Sequence, residues 1–321
     1  MQKRILGKTG LQVSEVGFGC WAIGGTSYGP TSDRESIAAL ESAWDLGVNF
    51  FDTADTYGHG HSEKLVAQFL KNKSREQVII ASKVGWDFYN GPSKKNFDPE
   101  YISFACEETL KRLKTEYLDL YQLHNPKPEI IRQGDAIRAL EKLKQEGKIR
   151  FIGVSIHTEA DAQACLEFSS VDSFQLVFNL LEQKMARQVF GWAKEKNIGV
   201  IAREPLACGL LSGKYQVGHQ FAKDDHRRRW LGDKLELDLR KVAIIKEFIS
   251  SQCESVVKSS IEYVLSEPAV SVVIPGAKTA AQFRESAEAS SLGQLSPDIL
   301  KGLRQLTQNS PLFSQELPWA R

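Results

Sequence analysis

The amino-acid sequence predicts an α/β protein whose strands form a (β/α)8 barrel, also called a TIM barrel. Eight short apolar segments alternate with segments of helical period, a pattern that is typical of a parallel sheet. A closed barrel and a doubly wound open sheet both fit this alternation, and the count of eight favours the barrel. A barrel accommodates roughly 200–400 residues. Because no repeat or Pro/Ser-rich linker divides the 321 residues, we expect a single domain over residues 1–321.

A short N-terminal β-hairpin is expected before the barrel. Residues 3–6 and 11–13 flank Thr9-Gly10, a pair that favours a turn. The eight strand candidates are residues 16–19, 48–52, 78–83, 118–123, 149–155, 173–177, 199–203 and 270–274. Strands seven and eight are separated by a long insertion, residues 204–268. We expect this insertion to contain a polar loop and two helices, residues 239–249 and 256–265.

Capping residues indicate where several helices begin and end. Asp33 is placed to cap a helix over residues 34–46, which Gly47 would end. Asp98 precedes Pro99, a favourable first-turn proline, at the start of a helix that runs to about residue 113. Two other helix candidates lie between strands: residues 136–146, which Gly147 would end, and residues 185–196, which Asn197-Ile198-Gly199 would end.

The composition excludes several classes of function. The formal net charge is +1, whereas nucleic-acid binders usually carry a clear basic excess, so we expect no nucleic-acid partner. Five cysteines without a CxxC pair argue against a disulfide framework and a zinc site, and they fit a reducing cytosol. The N-terminus lacks the apolar core of a signal peptide, and no apolar run approaches the ~18 residues of a membrane span. We therefore expect a cytoplasmic protein with no membrane partner.

A glycine motif near the N-terminus matches the dinucleotide-binding pattern GxGxxG/A. Gly17, Gly19 and Ala22 fit this pattern, and Asp52 ends the next strand. The pattern requires a helix to begin at the glycines, because the helix N-terminus holds the pyrophosphate. Residues 23–30 contain three glycines and a proline, which do not form a first helical turn. We therefore interpret this stretch as a loop after strand one.

Ionisable side chains lie at the ends of three consecutive strands. Asp52 ends strand two and is followed by a polar loop that contains Tyr57. Lys83 ends strand three, and His124 follows strand four. Barrel enzymes carry their catalytic residues at this carboxyl edge of the strands. Each residue alone is more often structural, but their combination on one rim indicates an active site.

The chemistry of these residues suits proton transfer. Asp52 and Lys83 are expected to pair, because a lone buried charge costs several kcal/mol. Tyr57 would then lie beside an ammonium. We expect this ammonium to lower the tyrosine pKa from its usual value near 10, so that Tyr57 can donate a proton near neutral pH.

Several motifs together form a recognisable pattern: residues 6–11, residues 51–58 with Ser62-Glu63, Lys83, residues 123–126 and residues 153–155. Through these motifs the sequence resembles the aldo-keto reductase superfamily over nearly its whole length. The resemblance implies NADPH-dependent reduction of an aldehyde or ketone to an alcohol. Tyr57 would donate the proton, and Lys83, paired with Asp52, would tune it. His124 would orient the carbonyl of a small substrate. The resemblance also implies a monomer.

Two loops have the character of anion sites on their own residues. Residues 205–214 follow strand seven and contain glycines that permit close backbone approach, together with Lys214. Residues 274–279 follow strand eight, and Thr279 can cap the next helix. Barrels usually bind phosphate at these two loops. Ordinary loop glycines and a solvated lysine are the alternative.

The resemblance implies that NADP(H) binds across these loops. Ser155 and Gln175 would hold the carboxamide. Lys278 and Gln282 would lie at the 2′-phosphate and adenine end, which favours NADPH over NADH. The cofactor-binding residues expected in full are Cys20, Trp21, Asp52, Ser155, Gln175, Arg203, Pro205, Leu206, Gly209, Gly213, Lys214, Gly276, Lys278, Gln282 and Ser286.

Three residues depart from the family pattern at the cofactor site. Ile156 and Ser286 each replace an expected asparagine, and Arg203 replaces an aromatic ring that commonly stacks on the nicotinamide. A guanidinium can also stack, but it places positive charge beside a ring that is cationic when oxidised. Arg203 is therefore expected to favour the reduced cofactor.

The substrate is expected to contact Trp21, Tyr57, Trp86, His124 and Asn125. Aromatic side chains on loops at the barrel mouth indicate an apolar or sugar-stacking pocket, with core packing as the alternative. A charged run, residues 224–230, lies in the long insertion. It is either a solvated loop or a lid that orders over the cofactor or an acidic substrate.

Two functions stay open from the sequence. The first is the NADPH-dependent reductase. The alternative is an NADP-binding, redox-sensing module that turns over little and docks on a partner protein, as in the channel-associated branch of the same superfamily. An unrelated barrel isomerase or hydrolase has no metal-ligand cluster in the sequence to support it.

Overall fold

The computed structural model describes residues 1–25, 27–89, 91–223, 225–253, 255–292 and 295–315. The strands within these ranges are β1 (Lys3–Ile5), β2 (Gln12–Ser14), β3 (Phe18–Gly19), β4 (Phe50–Asp52), β5 (Ile79–Val84), β6 (Trp86–Asp87), β7 (Lys94–Lys95), β8 (Leu118–His124), β9 (Ile149–Ser155), β10 (Val171–Val177), β11 (Gly199–Arg203) and β12 (Val270–Ile274).

Eight of these strands form a parallel barrel sheet in the order β3, β4, β5, β8, β9, β10, β11, β12. Backbone hydrogen bonds join the two ends of this sheet. The Gly17 amide donates to the Val273 carbonyl over 2.8 Å, and the Gly19 amide donates to the Pro275 carbonyl over 3.0 Å. The predicted (β/α)8 barrel is therefore confirmed, and the open doubly wound sheet is excluded.

The N-terminal hairpin packs against the barrel interior. Strands β1 and β2 pair antiparallel, as predicted, around a short 3-10 turn at Gly7–Thr9. Leu6 and Val13 are buried in one apolar cluster with Phe50, Leu120 and Ile201, which lie on barrel strands. This packing keeps water from the end of the barrel opposite the polar strand ends, so those ends form the accessible rim.

The helices cover the outside of the barrel. They are α1 (Asp33–Asp45), α2 (His61–Leu70), α3 (Pro99–Leu113), α4 (Pro128–Gln133), α5 (Asp135–Gln145), α6 (Glu159–Cys165), α7 (Lys184–Glu195), α8 (His226–Leu231), α9 (Lys234–Ser250), α10 (Val256–Leu265), α11 (Ala280–Ala287), α12 (Ala289–Leu292), α13 (Pro297–Asn309) and α14 (Pro311–Ser314). Among the described residues, no helix is long and apolar enough to cross a membrane.

Local signals placed most helix ends correctly, with one correction. Helix α3 begins at Pro99, with Asp98 in the N-cap position as expected. Helix α1 begins at Asp33, so Ser32 occupies the N-cap position that we assigned to Asp33. The Asp33 carboxylate lies 2.8 Å from the His61 ring instead of capping the helix. A contact with another helix therefore decided the position of this side chain.

The expected insertion between the last two barrel strands is present. It contains a short 3-10 segment (Ala207–Ser212) and helices α8, α9 and α10. Helix α10 has the predicted bounds, and α9 starts at Lys234, five residues before the predicted start at residue 239. The sequence did not indicate the hairpin of β6 and β7, which pairs Trp86 with Lys95 beside the active rim.

Candidate active site

The Lys83 ammonium lies at the centre of the polar rim. It donates to Asp52 Oδ1 over 2.5 Å, to the Thr53 carbonyl over 3.0 Å and to the Tyr57 hydroxyl oxygen over 3.0 Å. These three bonds use all three protons of an ammonium. The Tyr57 oxygen is therefore an acceptor in its bond with Lys83, and its own proton is directed elsewhere.

Asp52 is buried, and its two oxygens are divided between two kinds of donor. Oδ1 accepts from Lys83, while Oδ2 accepts from Gln122 over 3.1 Å and from Gln175 over 2.8 Å. The expected pair of Asp52 and Lys83 is present. Gln122 was not among the predicted site residues, although it precedes His124 by two residues on β8. Side chains two apart on a strand share a face, so this alternation could have indicated it.

The pKa of Tyr57 corrects one expectation. Lys83 does lower this pKa, through its charge and its hydrogen bond, but burial of the phenol has the larger effect. The pKa of Tyr57 is therefore raised above 10, not lowered. The positions of Tyr57 and Lys83 near the ends of neighbouring strands revealed the ammonium but not the loss of water around the ring. Tyr57 is a fully protonated hydroxyl near neutral pH, and Lys83 offsets part of the cost of ionising it.

His124 lies edge-on to the Tyr57 ring, with 6.0 Å between the ring centroids. Burial lowers the pKa of His124 well below 6.5, and the charges of Lys83 and Lys95 lower it further. The imidazole is therefore neutral near neutral pH and carries one N–H donor. Its Nδ1 atom is buried and has no hydrogen-bond partner within the described residues.

The residues predicted to hold a carboxamide lie on neighbouring strands. Ser155 pairs in register with both His124 and Gln175, so the three side chains lie side by side at the ends of β8, β9 and β10. The Ser155 hydroxyl donates to Asn125 Oδ1 over 2.7 Å. Gln175 donates through its amide nitrogen, and its Oε1 atom is buried without a partner in the described part of the chain. This acceptor and the Ser155 hydroxyl fit an amide ligand.

Arg203, at the end of β11, forms a compact polar cluster with its neighbours. Its guanidinium donates to Glu204 Oε1 over 2.6 Å and lies 3.2 Å from Nδ1 of His157. Glu204 adopts a left-handed conformation, with φ +55°, that turns its carboxylate back onto Arg203. The positive charge expected at this position is therefore largely offset by Glu204. The charge of Arg203 still lowers the pKa of His124.

The two phosphate-loop candidates lie at adjacent strand ends, as predicted. Pro205 is buried, Leu206 is half-buried and Lys214 is exposed. Gly209 has φ +89°, and a side chain there would approach Arg227 Nη1 to 3.5 Å. Gly276 lies against the end of β3, where a bridge pairs it with Gly19. On the loop after β11, the predicted residue Gly213 ends the 3-10 segment with φ +69°.

Two predicted cofactor residues have buried side chains whose polar atoms bond to nearby backbone carbonyls. The Cys20 thiol is fully buried and bonds to the Phe18 carbonyl over 3.7 Å. Ser286 is buried on α11, and its hydroxyl donates to the Gln282 carbonyl. Neither side chain offers an exposed polar atom to a cofactor, so the roles assigned to Cys20 and Ser286 stay predictions.

Lys278 and Gln282 lie together after β12. The backbone amide of Lys278 donates to Gln282 Oε1 over 2.9 Å, and Thr279 caps helix α11 as predicted. The Lys278 ammonium reaches across to the loop after β3, where it donates to the carbonyls of Tyr28 and Gly29. Burial is the main reason that the pKa of Lys278 is lowered. This cation thus spans the gap between the first and last barrel strands.

Part of the charged run in the insertion is buried, which corrects the solvated-loop interpretation. Asp225 and Arg227 pair over 2.6 Å, and Arg227 also donates to the Tyr215 hydroxyl over 2.9 Å. The Arg227 guanidinium lies 4.1 Å from the Phe221 ring centroid and 5.1 Å from that of Tyr28. Aromatic rings from two loops shield this pair from water. Asp224, within the same run, lies outside the described residues.

Aromatic residues line the mouth near Tyr57. The Trp21 ring lies 5.0 Å from the Tyr57 ring and 6.5 Å from that of Tyr28. Trp86 is half-buried, and the Lys95 ammonium lies 4.2 Å from its ring centroid. Asn125 is held at φ +55° beside His124. The predicted substrate residues Trp21, Tyr57, His124 and Asn125 therefore lie around one opening, with Trp86 on the adjoining hairpin.

Comparison with known proteins agrees with this geometry. A model of the Aldo/keto reductase family matches residues 15–308. The chain is 33% identical over 310 residues to "Uncharacterized oxidoreductase YqkF" of Bacillus subtilis, covering 96% of this chain and 97% of that protein. It is 31% identical over 293 residues to the aldo-keto reductase YhdN of the same bacterium, covering 90% and 88%.

A solved structure extends the comparison to three dimensions. The aldo-keto reductase AKR11C1 from Bacillus halodurans, in its holo form, superposes with a TM-score of 0.83 at 28% identity, with 97% of each chain covered. The chain therefore belongs to the aldo/keto reductase family, which reduces carbonyl compounds with a nicotinamide cofactor.

Proposed function

We propose that this protein reduces an aldehyde or ketone to an alcohol with NADPH, and that Tyr57 supplies the proton. The arrangement around the Lys83 ammonium carries this proposal. Because Lys83 donates to the Tyr57 oxygen, the tyrosine proton is available to a substrate oxygen in the mouth. A structural tyrosine would more often use its proton within the protein.

The ionisation properties of Tyr57 fit the reductive direction. A general acid must hold its proton before the reaction, and the raised pKa of Tyr57 keeps the hydroxyl protonated. When the proton leaves, the tyrosinate lies 3.0 Å from an ammonium that already donates to it. This interaction is stronger for the anion than for the phenol, so Lys83 stabilises the product of proton transfer.

His124 is proposed to orient the carbonyl. As a neutral imidazole it offers one N–H to the substrate oxygen without competing with Tyr57 as an acid. Its place beside the Tyr57 ring brings both donors to one opening. Two donors that converge on the carbonyl oxygen would stabilise the negative charge that develops there.

The residues at the rim fit a nicotinamide cofactor. Gln175 Oε1 is a buried acceptor and Ser155 carries a hydroxyl, so both are proposed to bind the carboxamide. Lys278 and the glycine loops after β11 and β12 are proposed to bind the phosphates, with the Lys278 ammonium favouring a 2′-phosphate. The bound cofactor would supply the hydride. Arg203, held by Glu204, is proposed to stack its planar guanidinium on the nicotinamide ring.

A substrate panel tests this function directly. Purified protein should consume NADPH in the presence of an activated aromatic aldehyde such as 4-nitrobenzaldehyde, and it should consume NADH more slowly. Tight binding of NADPH without turnover of any aldehyde or ketone would contradict the reductase proposal and would instead fit a redox-sensing module. Exposed Lys194 on α7 offers a control variant, Lys194→Met, whose rates should equal those of the wild type.

A further inference from the structure

Lys95 lies beside the catalytic histidine and was not among the predicted site residues. It belongs to the β6–β7 hairpin, which follows strand β5 at the rim. Its ammonium donates to the His124 carbonyl over 2.6 Å and to the Asn125 carbonyl over 3.2 Å. The Trp86 ring forms one wall of its surroundings, with its centroid 4.2 Å from the nitrogen. The side chain keeps part of its surface in solvent, so an arriving ligand can reach it.

The Lys95 ammonium has neutral oxygen acceptors but no anionic partner. Two carbonyls use two of its three protons, and within the described residues no carboxylate lies at ion-pair distance from it. Lys83 and Arg203, two other cations at this rim, are paired with Asp52 and Glu204. Over the described part of the chain, the charge of Lys95 at the mouth is therefore not balanced by a neighbouring carboxylate.

The titratable groups that face Lys95 do not change this balance. On its own hairpin, Asp87 accepts from the Tyr89 amide and from Asn96. Asp55 acts to raise the pKa of Lys95, and the pKa of Asp55 is itself raised by burial and by Glu63. Burial is the main effect, and it lowers the pKa of Lys95 to about 8.

We propose that Lys95 recognises an anionic group on the substrate, so that the preferred substrates are aldehydes or ketones that also carry a carboxylate or a phosphate. This inference rests on the proposed function, because it requires the carbonyl to lie at Tyr57 and His124. The Lys95 nitrogen donates to the backbone carbonyl of His124. An anion bound to Lys95 would therefore lie close to His124, which is proposed to donate to the substrate carbonyl. The Trp86 ring would pack against the chain or ring that joins the two groups.

Lys95 is expected to prefer an anionic ligand because its own charge has no neighbouring carboxylate within the described residues. A partly desolvated ammonium gains more from an anion than an exposed surface lysine does, because less water is available to replace the interaction. A charge-assisted hydrogen bond of this kind corresponds to a roughly 10–100-fold preference for the anionic substrate over its neutral counterpart.

Matched substrates separate recognition of the anion from general activity. The probes are 4-carboxybenzaldehyde against its methyl ester, and glyceraldehyde 3-phosphate against glyceraldehyde. For each pair we would measure the ratio of kcat/KM values, because any loss common to both members cancels. The pair with the larger ratio identifies whether a carboxylate or a phosphate is preferred. Calorimetric binding of the same four compounds supplies a second readout that does not depend on turnover.

Three variants complete the test. Lys95→Met should lower the anionic-to-neutral ratio by about tenfold or more, and Lys95→Arg should preserve it. Lys94→Met is the control, because Lys94 is the exposed neighbour of Lys95 on β7. Between about pH 7 and about pH 9.5 the ratio should fall in the wild type, as the Lys95 charge is lost, and should stay level in Lys95→Arg.

The possible results distinguish a failure of the Lys95 inference from a failure of the proposed function. A ratio near one in the wild type, in both kinetics and binding, would overturn the inference while leaving the reductase proposal intact. An equal loss for both members of a pair in Lys95→Met would also overturn it, since Lys95 would then only hold the His124 backbone. If no probe consumes NADPH, the proposed function fails, and the binding ratios still decide whether Lys95 selects anions.

Discussion

The pair of Asp52 and Lys83 can be tested by replacing the carboxylate with an amide of the same shape. Asp52→Asn leaves the Lys83 ammonium buried, with 1% of its side chain exposed, and removes its counter-charge. The packing of the barrel changes little, because aspartate and asparagine have nearly the same volume. The variant therefore isolates the contribution of the charge.

The expected loss of stability follows from the contacts of Asp52. Removing one partner of a buried ion pair costs about 3–5 kcal/mol. The hydrogen bonds contribute less. The asparagine oxygen can still accept from Lys83, and Gln175 can rotate its amide so that Oε1, which has no partner within the described residues, accepts from the new amide. About 1 kcal/mol is therefore expected from imperfect bonds, and the charge dominates.

The dependence on pH distinguishes a buried charge from a loss of packing. In the wild type the pKa of Lys83 is raised, because Asp52 and Tyr57 outweigh the opposing effect of burial. In Asp52→Asn burial prevails and the Lys83 pKa falls below its unfolded value near 10.4. The unfolded chain then binds more protons than the folded chain, so stability rises with pH. The difference in unfolding free energy between the wild type and Asp52→Asn should therefore narrow between about pH 7 and about pH 9.5.

Urea denaturation followed by circular dichroism measures these differences for the wild type, Asp52→Asn, Lys83→Met and the double variant. The double variant should be more stable than Asp52→Asn, because it no longer buries an unpaired charge. A deficit below about 1 kcal/mol, or one that stays constant across this pH range, would refute the reasoning. The four proteins form a double-mutant cycle, and the coupling energy between Asp52 and Lys83 should account for most of the stability that Asp52→Asn loses.

Two further predictions concern His124 and Lys278. The lowered pKa of His124 means that the unfolded chain takes up a proton near pH 6.5 that the folded chain excludes, so stability should fall below about pH 6.5 by up to about 1.4 kcal/mol per pH unit. In urea denaturation, the stability of His124→Gln should fall less steeply with decreasing pH than that of the wild type. Equal slopes for the two proteins would contradict a buried neutral imidazole. Lys278→Met should raise the Kd of NADPH by roughly 10–100-fold more than that of NADH. Tryptophan fluorescence titration measures both constants, and equal losses would mean that Lys278 only anchors the loop of Tyr28 and Gly29.

Local signals in the sequence were sufficient for the fold and for the residues at the strand ends. Pro99 fixed the start of α3, and the alternation of apolar and helical segments predicted the barrel. Asp52 and Lys83 could be paired because two charges at adjacent buried strand ends need each other. These inferences succeed because each depends on residues that are close in sequence or on adjacent strands.

The features that could not be predicted depend on contacts between distant segments. Arg227 is buried because Tyr28 and Phe221, from two different loops, pack on its guanidinium. Tyr57 has a raised pKa because the folded rim excludes water, which no local pattern reports. Lys95 reaches His124 only because an unpredicted hairpin turns back over the rim. In each case the surroundings that folding creates, rather than residue type, decide the chemistry.

The proton-donor role of Tyr57 is the central claim, and one variant tests it most directly. Tyr57→Phe keeps the ring that packs on Trp21 and removes only the hydroxyl that Lys83 contacts. Single-turnover reduction of an aromatic aldehyde with saturating NADPH should slow by roughly 10²–10⁴-fold, which is the usual contribution of a general acid. The affinity for NADPH should stay within about threefold of the wild type. A Tyr57→Phe variant that reduces the aldehyde at the wild-type rate would contradict the claim.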